Sequence, residues 1–288
     1  MSSPPENLLT MLELRLLAEL GGRLNRHWLV KAKGERKVLR RWSPQPEMSI
    51  EYERILMVRF GELGWPVACL DEPVEYDGYL WSLAPFLPGE PMAADNPVEL
   101  RTRGRLLAQF HADATRIDPM AQRSGWRRCE EILFDPEADR ILSENESTWP
   151  EEVRIIRWHM DRARLRIDGL NLSDRRGVPI HGDFARWNLL FDRGRLSGLI
   201  DFEAAHNDHR VADFALAWRG KYDEVIQGYE EVSPLEPEER ATIVPAWWAW
   251  LIEGACRDMR NGNLDDGWTV TKLLCRTSAM GPDAKDLP

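Results

Sequence analysis

The sequence predicts an α+β chain with a small antiparallel-sheet N-lobe and a larger, mainly helical C-lobe. Three observations predict it. Trp28-Leu29-Val30 and Val38-Leu39-Arg40 flank the turn signal Lys33-Gly34-Glu35-Arg36, which reads as a hairpin. Pro85-Phe86-Leu87-Pro88-Gly89 is a stiff connector with turn chemistry, and the strand pattern ends there. Beyond it, residues 98–115 and 151–168 carry helical periodicity. The lobes are therefore expected over residues 1–87 and 88–288.

Each element follows from local pattern. Up to Leu20 the apolar spacing reads as helical, and it becomes strand-like after Gly21-Gly22. Ile55, Leu56, Phe60 and Leu63 lie near helical spacing, and Gly64-Trp65-Pro66 stops that helix. Residues 79–84 form a strand candidate running into the connector. A polar, acid-rich stretch separates the two later helices. Asn188-Leu189-Leu190-Phe191 and Leu196-Ser197-Gly198-Leu199-Ile200, split by Asp192-Arg193-Gly194-Arg195, read as a second hairpin. The midpoint between Asn188 and Asp201 falls at its turn, so folding brings a carboxamide and a carboxylate together at the open end. Asp183 lies five residues before Asn188, within reach of the same point.

Composition narrows the function. The chain has 288 residues, 43% of them apolar, enough for a large core, which excludes a disordered or fibrous protein. A net charge of −10 and a pI near 5.2 argue against nucleic-acid binding, which needs a clustered basic surface. Residues 201–288 hold 17 acidic and 9 basic side chains, a balance that suits either a cationic small molecule or a solvated face. The longest apolar run, residues 244–252, is too short for the roughly 20 residues of a membrane span. No secretory pattern opens the sequence, so a cytoplasmic location is expected. Cys69, Cys129, Cys256 and Cys275 show no metal-ligand spacing and are expected to be reduced core thiols.

Few hard oxygen ligands, with neither imidazole nor thiolate, suit magnesium completed by water and substrate phosphates. A further carboxylate nearby can accept a proton from an attacking hydroxyl. His181-Gly182-Asp183, Asn188, and Leu199-Ile200-Asp201-Phe202-Glu203 carry these groups in an order that resembles the aminoglycoside phosphotransferase and choline kinase superfamily of protein-kinase-like enzymes. The resemblance implies a protein-kinase-like bilobal fold using ATP and Mg2+, with Asp183 as catalytic base and Asn188 and Asp201 as magnesium ligands. Asp213, in Arg210-Val211-Ala212-Asp213-Phe214, and His111, closing Leu106-Leu107-Ala108-Gln109-Phe110-His111, resemble the family's scaffold residues.

In the first lobe the resemblance puts Arg40 where the family carries its phosphate-binding lysine. Val38 and Arg40 share a strand face and Lys37 points the other way. Arginine keeps the charge but changes reach and geometry. Glu53 is its expected partner, 13 residues before Pro66, with Glu51 the competitor projecting about 200° away on the helix. Gly21-Gly22-Arg23-Leu24-Asn25-Arg26 lies where the family covers the phosphates, or it is an ordinary helix stop. Pro85, Phe86 and Leu87 would supply backbone groups to adenine.

In the last third, Trp218, Tyr222, Tyr229, Trp247, Trp248, Trp250 and Trp268 lie among acids. The helical stripe of Trp247, Trp250, Leu251 and Gly254 favours core over a cation box. Glu203 and Arg186 are the better-placed substrate contacts. The expected activity is transfer of the γ-phosphate of ATP to a hydroxyl of a small molecule, with an aminoglycoside-like or other amino-bearing acceptor favoured by the acidic last third. Homoserine-like and choline-like alcohols stay open, as does a nucleotide-binding pseudokinase, motivated by Arg40 and opposed by intact Asp183, Asn188 and Asp201.

Overall fold

The computed structural model describes residues 3–22, 25–43, 50–92, 95–172, 176–264 and 274. The chain folds as two compact units, Met1–Met92 with Trp187–Asp201, and Ala93–Arg186 with Phe202–Pro288.

The first unit is built on an antiparallel sheet of β1 (Leu14–Gly21), β2 (Arg26–Ala32), β3 (Glu35–Arg41), β4 (Val74–Tyr76) and β5 (Tyr79–Pro85), in the order β1-β2-β3-β5-β4. Lys33 and Gly34 both adopt positive φ (48° and 93°), the two-residue turn that matches strand twist, and it pairs Trp28 with Leu39. Trp28, Val30, Leu39 and Trp81 bury one face of the sheet together with Leu8 of α1 (Glu6–Met11). Trp28 and Trp81 rings lie 5.6 Å apart. Val38 and Arg40 alternate to the opposite face. There Arg40 meets α2 (Ile50–Glu62), which buries Tyr52, Glu53, Leu56, Met57 and Phe60.

The segment before Gly22 corrects the helical expectation, because residues 14–21 are strand β1. Leu16, Leu17 and Leu20 are 36%, 39% and 49% exposed, so no helical face is buried, whereas the edge of β2 supplies backbone partners along the segment, with register shifts between Leu16 and Ala18 and between Glu19 and Gly21. Only α1, earlier in the chain, is helical there. Arg23 and Leu24 of the candidate phosphate loop lie outside the described residues.

A smaller sheet completes the first unit: β6 (Glu90–Pro91), β8 (Leu189–Asp192) and β9 (Arg195–Leu199), in the order β6-β8-β9. It is stitched to the preceding chain by Leu199 N–H donating to Pro66 O (2.8 Å) and Met92 N–H donating to Leu189 O (3.0 Å).

The second unit contains α3 (Pro97–Ala114), α4 (Cys129–Leu133), α5 (Pro136–Asn145), α6 (Pro150–Ile167), α7 (Phe214–Trp218), α8 (Asp223–Glu230) and α9 (Pro237–Arg260), with β7 (Val178–Ile180) paired antiparallel to β10 (His206–Asp208). Asn96 caps α3 by accepting from Glu99 N–H, with Pro97 at its first turn. The polar, acid-rich stretch between the two predicted helices holds α4 and α5. Trp247 and Trp248 are 1% and 0% exposed, and the Trp247 and Trp250 rings stack at 5.7 Å, so this stripe is core. Trp268 and Cys275 lie outside the described residues. Cys129 and Cys256 are buried and unpaired by disulfide, and burial pushes the Cys256 thiol up to about 12. Among the described residues no helix is long and apolar enough to cross a membrane.

Candidate active site

The pieces singled out by sequence fall in both units. In the first, Arg40 Nη1 donates to Glu53 Oε1 at 2.6 Å, with both side chains buried. The Arg40 guanidinium also lies 3.8 Å from the centroid of the Trp42 ring. Glu51 instead accepts from Arg54 at the surface (2.8 Å), and Lys37 faces Asp71 at 3.6 Å. His27 sits directly opposite Arg40 across the β2–β3 ladder. Burial first, then the charge of Arg40, pushes its imidazole from 6.5 down to about 4.

The connector leaves the sheet at an exposed Pro85. Phe86 N–H donates to Arg36 O (3.3 Å), and the Arg36 guanidinium stacks over the Phe86 ring at 4.6 Å. Leu87 packs beside Gly198, where an added Cβ would come within 3.1 Å of it.

Asn188 and Asp201 flank the β8–β9 hairpin. Ile200 N–H donates to Asn188 O at 3.1 Å, so Ile200, not Asp201, stands opposite Asn188. The turn at Arg193-Gly194 alone would set Asn188 opposite Leu199, and the register shift after Leu190 moves the pairing one residue toward Asp201. Asp201 follows with φ 67°, a left-handed conformation that aspartate tolerates and that turns the chain sharply. Asn188 is 3% exposed and Asp201 half-buried.

In the second unit β7 ends at His181-Gly182-Asp183. Asp213, fully buried, accepts from His181 N–H (2.8 Å) and Gly182 N–H (2.7 Å) and lies 3.0 Å from His111 Nε2. An ionised carboxylate only accepts, so His111 donates from Nε2, and its Nδ1 lies 3.0 Å from the Tyr229 hydroxyl. Burial alone raises the Asp213 pKa, but the hydrogen bond and charge of His111, with His181, outweigh it and hold the carboxyl below its ordinary range. Gly182 adopts φ 75°, and a Cβ there would meet Ala204 O at 2.2 Å, so only glycine fits between Asp213 and residue 204. Phe110, His181, Phe184 and Phe202 pack as one aromatic cluster beneath the loop, with His181 and Phe202 at 4.6 Å. Asp183, Arg186 and Glu203 are half-buried.

One residue escaped the sequence reading. Arg123, 1% exposed and inside an irregular stretch, donates from Nη1 to Phe202 O (3.2 Å), Glu203 O (2.9 Å) and Ala205 O (2.9 Å). No local pattern marks it, because its partners lie about 80 residues away.

Comparison with known proteins adds a family. The chain matches the phosphotransferase enzyme family (APH) over residues 17–250. It is 30% identical over 179 residues to the homoserine kinase of Phenylobacterium zucineum, the alignment covering 56% of this chain and 51% of that protein. The stress response kinase A of Salmonella typhi is 26% identical over 202 residues, covering 62% of this chain and 56% of the relative. The chain thus spans about half the length of the curated relatives it matches. Apo aminoglycoside phosphotransferase APH(4)-Ia is similar in structure, with a TM-score of 0.70 at 17% identity over 97% of both chains. A microcompartment-associated aminopropanol kinase reaches 0.67 at 16% identity, covering 94% of this chain and 91% of its own. At such identities the likeness establishes the kinase-like α+β fold. Because the family match runs from β1 into α9 and takes in both compact units, this chain belongs to the phosphotransferase enzyme family.

Proposed function

We propose that the protein is an ATP-dependent small-molecule kinase that moves the γ-phosphate to a hydroxyl of an amino-bearing acceptor. The observation that carries this reading is the β8–β9 hairpin, which sets Asn188 and Asp201 at the ends of adjacent strands just after a loop whose amides are fixed by Asp213. Two hard oxygen donors without thiolate or imidazole fit magnesium, so Asn188 and Asp201 would hold it. When bound, the ion neutralises charge between the nucleotide phosphates. Asp183 orients the acceptor hydroxyl and takes its proton. Arg40, aligned by Glu53, binds phosphate oxygens. Within Pro85, Phe86 and Leu87, whose backbone would meet adenine, the Phe86 amide is spent on Arg36, so Leu87 supplies the amide donor and the carbonyls of the segment supply acceptors. Glu203 and Arg186 flank the acceptor.

Functionally, residues 1–87 serve the nucleotide and 88–288 the chemistry and acceptor, with the hairpin carrying its metal donors although it is compact with the first unit. An aminoglycoside-like acceptor is favoured by the acidic last third. A homoserine-type alcohol is the second reading, supported by 30% identity to homoserine kinases.

A panel of amino sugars, homoserine, choline and amino alcohols, assayed for ADP release, tests both. With the best acceptor, Asp183→Asn should keep nucleotide affinity while turnover falls by about two or more orders of magnitude. Normal turnover in this variant removes Asp183 as the base. Magnesium-dependent ATP binding with no transfer to any member of the panel favours the pseudokinase.

A further inference from the structure

Arg123 belongs to a larger arrangement. Residues 120–126, between α3 and α4, hold the segment that follows Asp201 at nearly every peptide. Arg123 takes the carbonyls of residues 202, 203 and 205. Gln122 Oε1 accepts from Asn207 N–H (3.2 Å), and Asn207 Nδ2 donates to Met120 O (2.7 Å). Trp126 stacks on the His206 ring at 4.8 Å, and His206 Nδ1 donates to Ala204 O at 2.8 Å. The three carbonyls converge on one terminal nitrogen of a buried guanidinium, whose two N–H groups are shared among them.

This clamp has a mechanical consequence. Ala204 is the residue that closes over Gly182, and Asp213 fixes the same loop through the amides of residues 181 and 182. The loop that presents Asp183 is therefore held between a carboxylate and residue 204, and residue 204 is held directly by His206 and, through the carbonyls on either side of it, by Arg123. Removing the guanidinium leaves Phe202 O with the Ala205 N–H (3.0 Å) but takes the Arg123 donor from the carbonyls of Glu203 and Ala205, and the cheapest relaxation is a shift of residues 203–205 toward water, which releases Gly182 and moves Asp183.

We propose that Arg123 is a positioning residue for phosphoryl transfer, setting Asp183 and Glu203 by clamping residues 202–205. The proposal rests on the kinase reading for its catalytic consequence and on geometry alone for the clamp. Displacement of a reacting group by a fraction of an ångström to an ångström costs about tenfold to a hundredfold in turnover.

The test compares wild type, Arg123→Lys and Arg123→Ala for kcat, for KM of nucleotide and acceptor, and for amide hydrogen exchange of residues 202–206. We expect Arg123→Ala to lose about tenfold to a hundredfold in kcat with KM for nucleotide nearly unchanged. Added guanidinium should restore part of that kcat in Arg123→Ala and have no such effect on wild type. Arg123→Lys should lie between the two and, being the milder change, serves if the alanine variant does not fold. Wild-type kcat in a folded Arg123→Ala, or a loss that follows only the unfolded fraction and ignores guanidinium, overturns the proposal. Should the wild type transfer phosphate to no acceptor, exchange decides separately. Faster exchange confined to residues 202–206 in Arg123→Lys supports the clamp, and unchanged exchange there overturns it.

Discussion

Arg40 and Glu53 form a buried ion pair where the family resemblance implies a lysine and a glutamate. Taking two charges from water is costly, and only their close contact offsets it. Removing one partner is therefore severe: Glu53→Ala, which strips the guanidinium of its carboxylate, should cost about 3–5 kcal/mol in chemical denaturation. Arg40→Ala combined with Glu53→Ala should fall short of additivity by about 0.5–3 kcal/mol, and Arg40→Lys should retain measurable transfer. Strict additivity would separate the two as independent residues. The same guanidinium acts on His27 across the ladder. Folded His27 rejects a proton that it takes when unfolded, near pH 6.5. Its contribution is complete above that pH and is lost as pH falls toward about 4. Asp213, held below its ordinary range, loses stability in the same direction on acidification. Melting temperature against pH should therefore fall below 6.5, and His27→Gln should flatten the curve between 6.5 and 4. An unchanged curve in the variant would place the titration elsewhere.

At the scale of elements, the His181–Asp183 loop shows how little freedom the site has. Gly182→Ala must relieve both the left-handed backbone and the 2.2 Å approach to Ala204 O. A loss of about 1–3 kcal/mol in stability is expected from the backbone alone, together with a fall in turnover because Asp183 moves with its neighbour. A variant that melts and turns over like wild type would mean that residue 204 yields without consequence. Much of this geometry was legible in the sequence because it is local. Lys33-Gly34 and Arg193-Gly194 are two-residue turns that fix their hairpins, and α3 and α6 each begin with proline and carry a clear apolar stripe. What escaped depends on distant partners. Residues 14–21 have the composition of a helix and become strand because β2 offers an edge. The bulge after Leu190 brings Asp201 one place nearer to Asn188 than the Arg193-Gly194 turn alone would, and nothing in residues 190–197 announces it. Arg123 is set by carbonyls about 80 positions along the chain.

On the scale of the whole molecule, the first unit is not continuous in sequence, since Met1–Met92 is completed by Trp187–Asp201. Leu199 bridges to Val67 and bonds to Pro66, Ser197 donates to Pro88 O, and Glu90 and Pro91 pair with Phe191 and Leu190. Chains are made from the N-terminus, and domains generally fold as units while they emerge. Here the first 92 residues must wait until residue 201 has been synthesised before their last strand partners exist. In that interval the edge at residues 90–91 and the apolar groups around Val67 stay uncovered, a condition that invites aggregation. A fragment of residues 1–92 should therefore be poorly soluble when produced alone, and a separately supplied peptide of residues 187–201 should improve its recovery. Good solubility without the peptide would show that the sheet of β1 to β5 is self-sufficient. If the fragment does need the peptide, slowing translation between codons 92 and 201 lengthens the vulnerable interval, so the yield of this protein depends on the speed of its own synthesis.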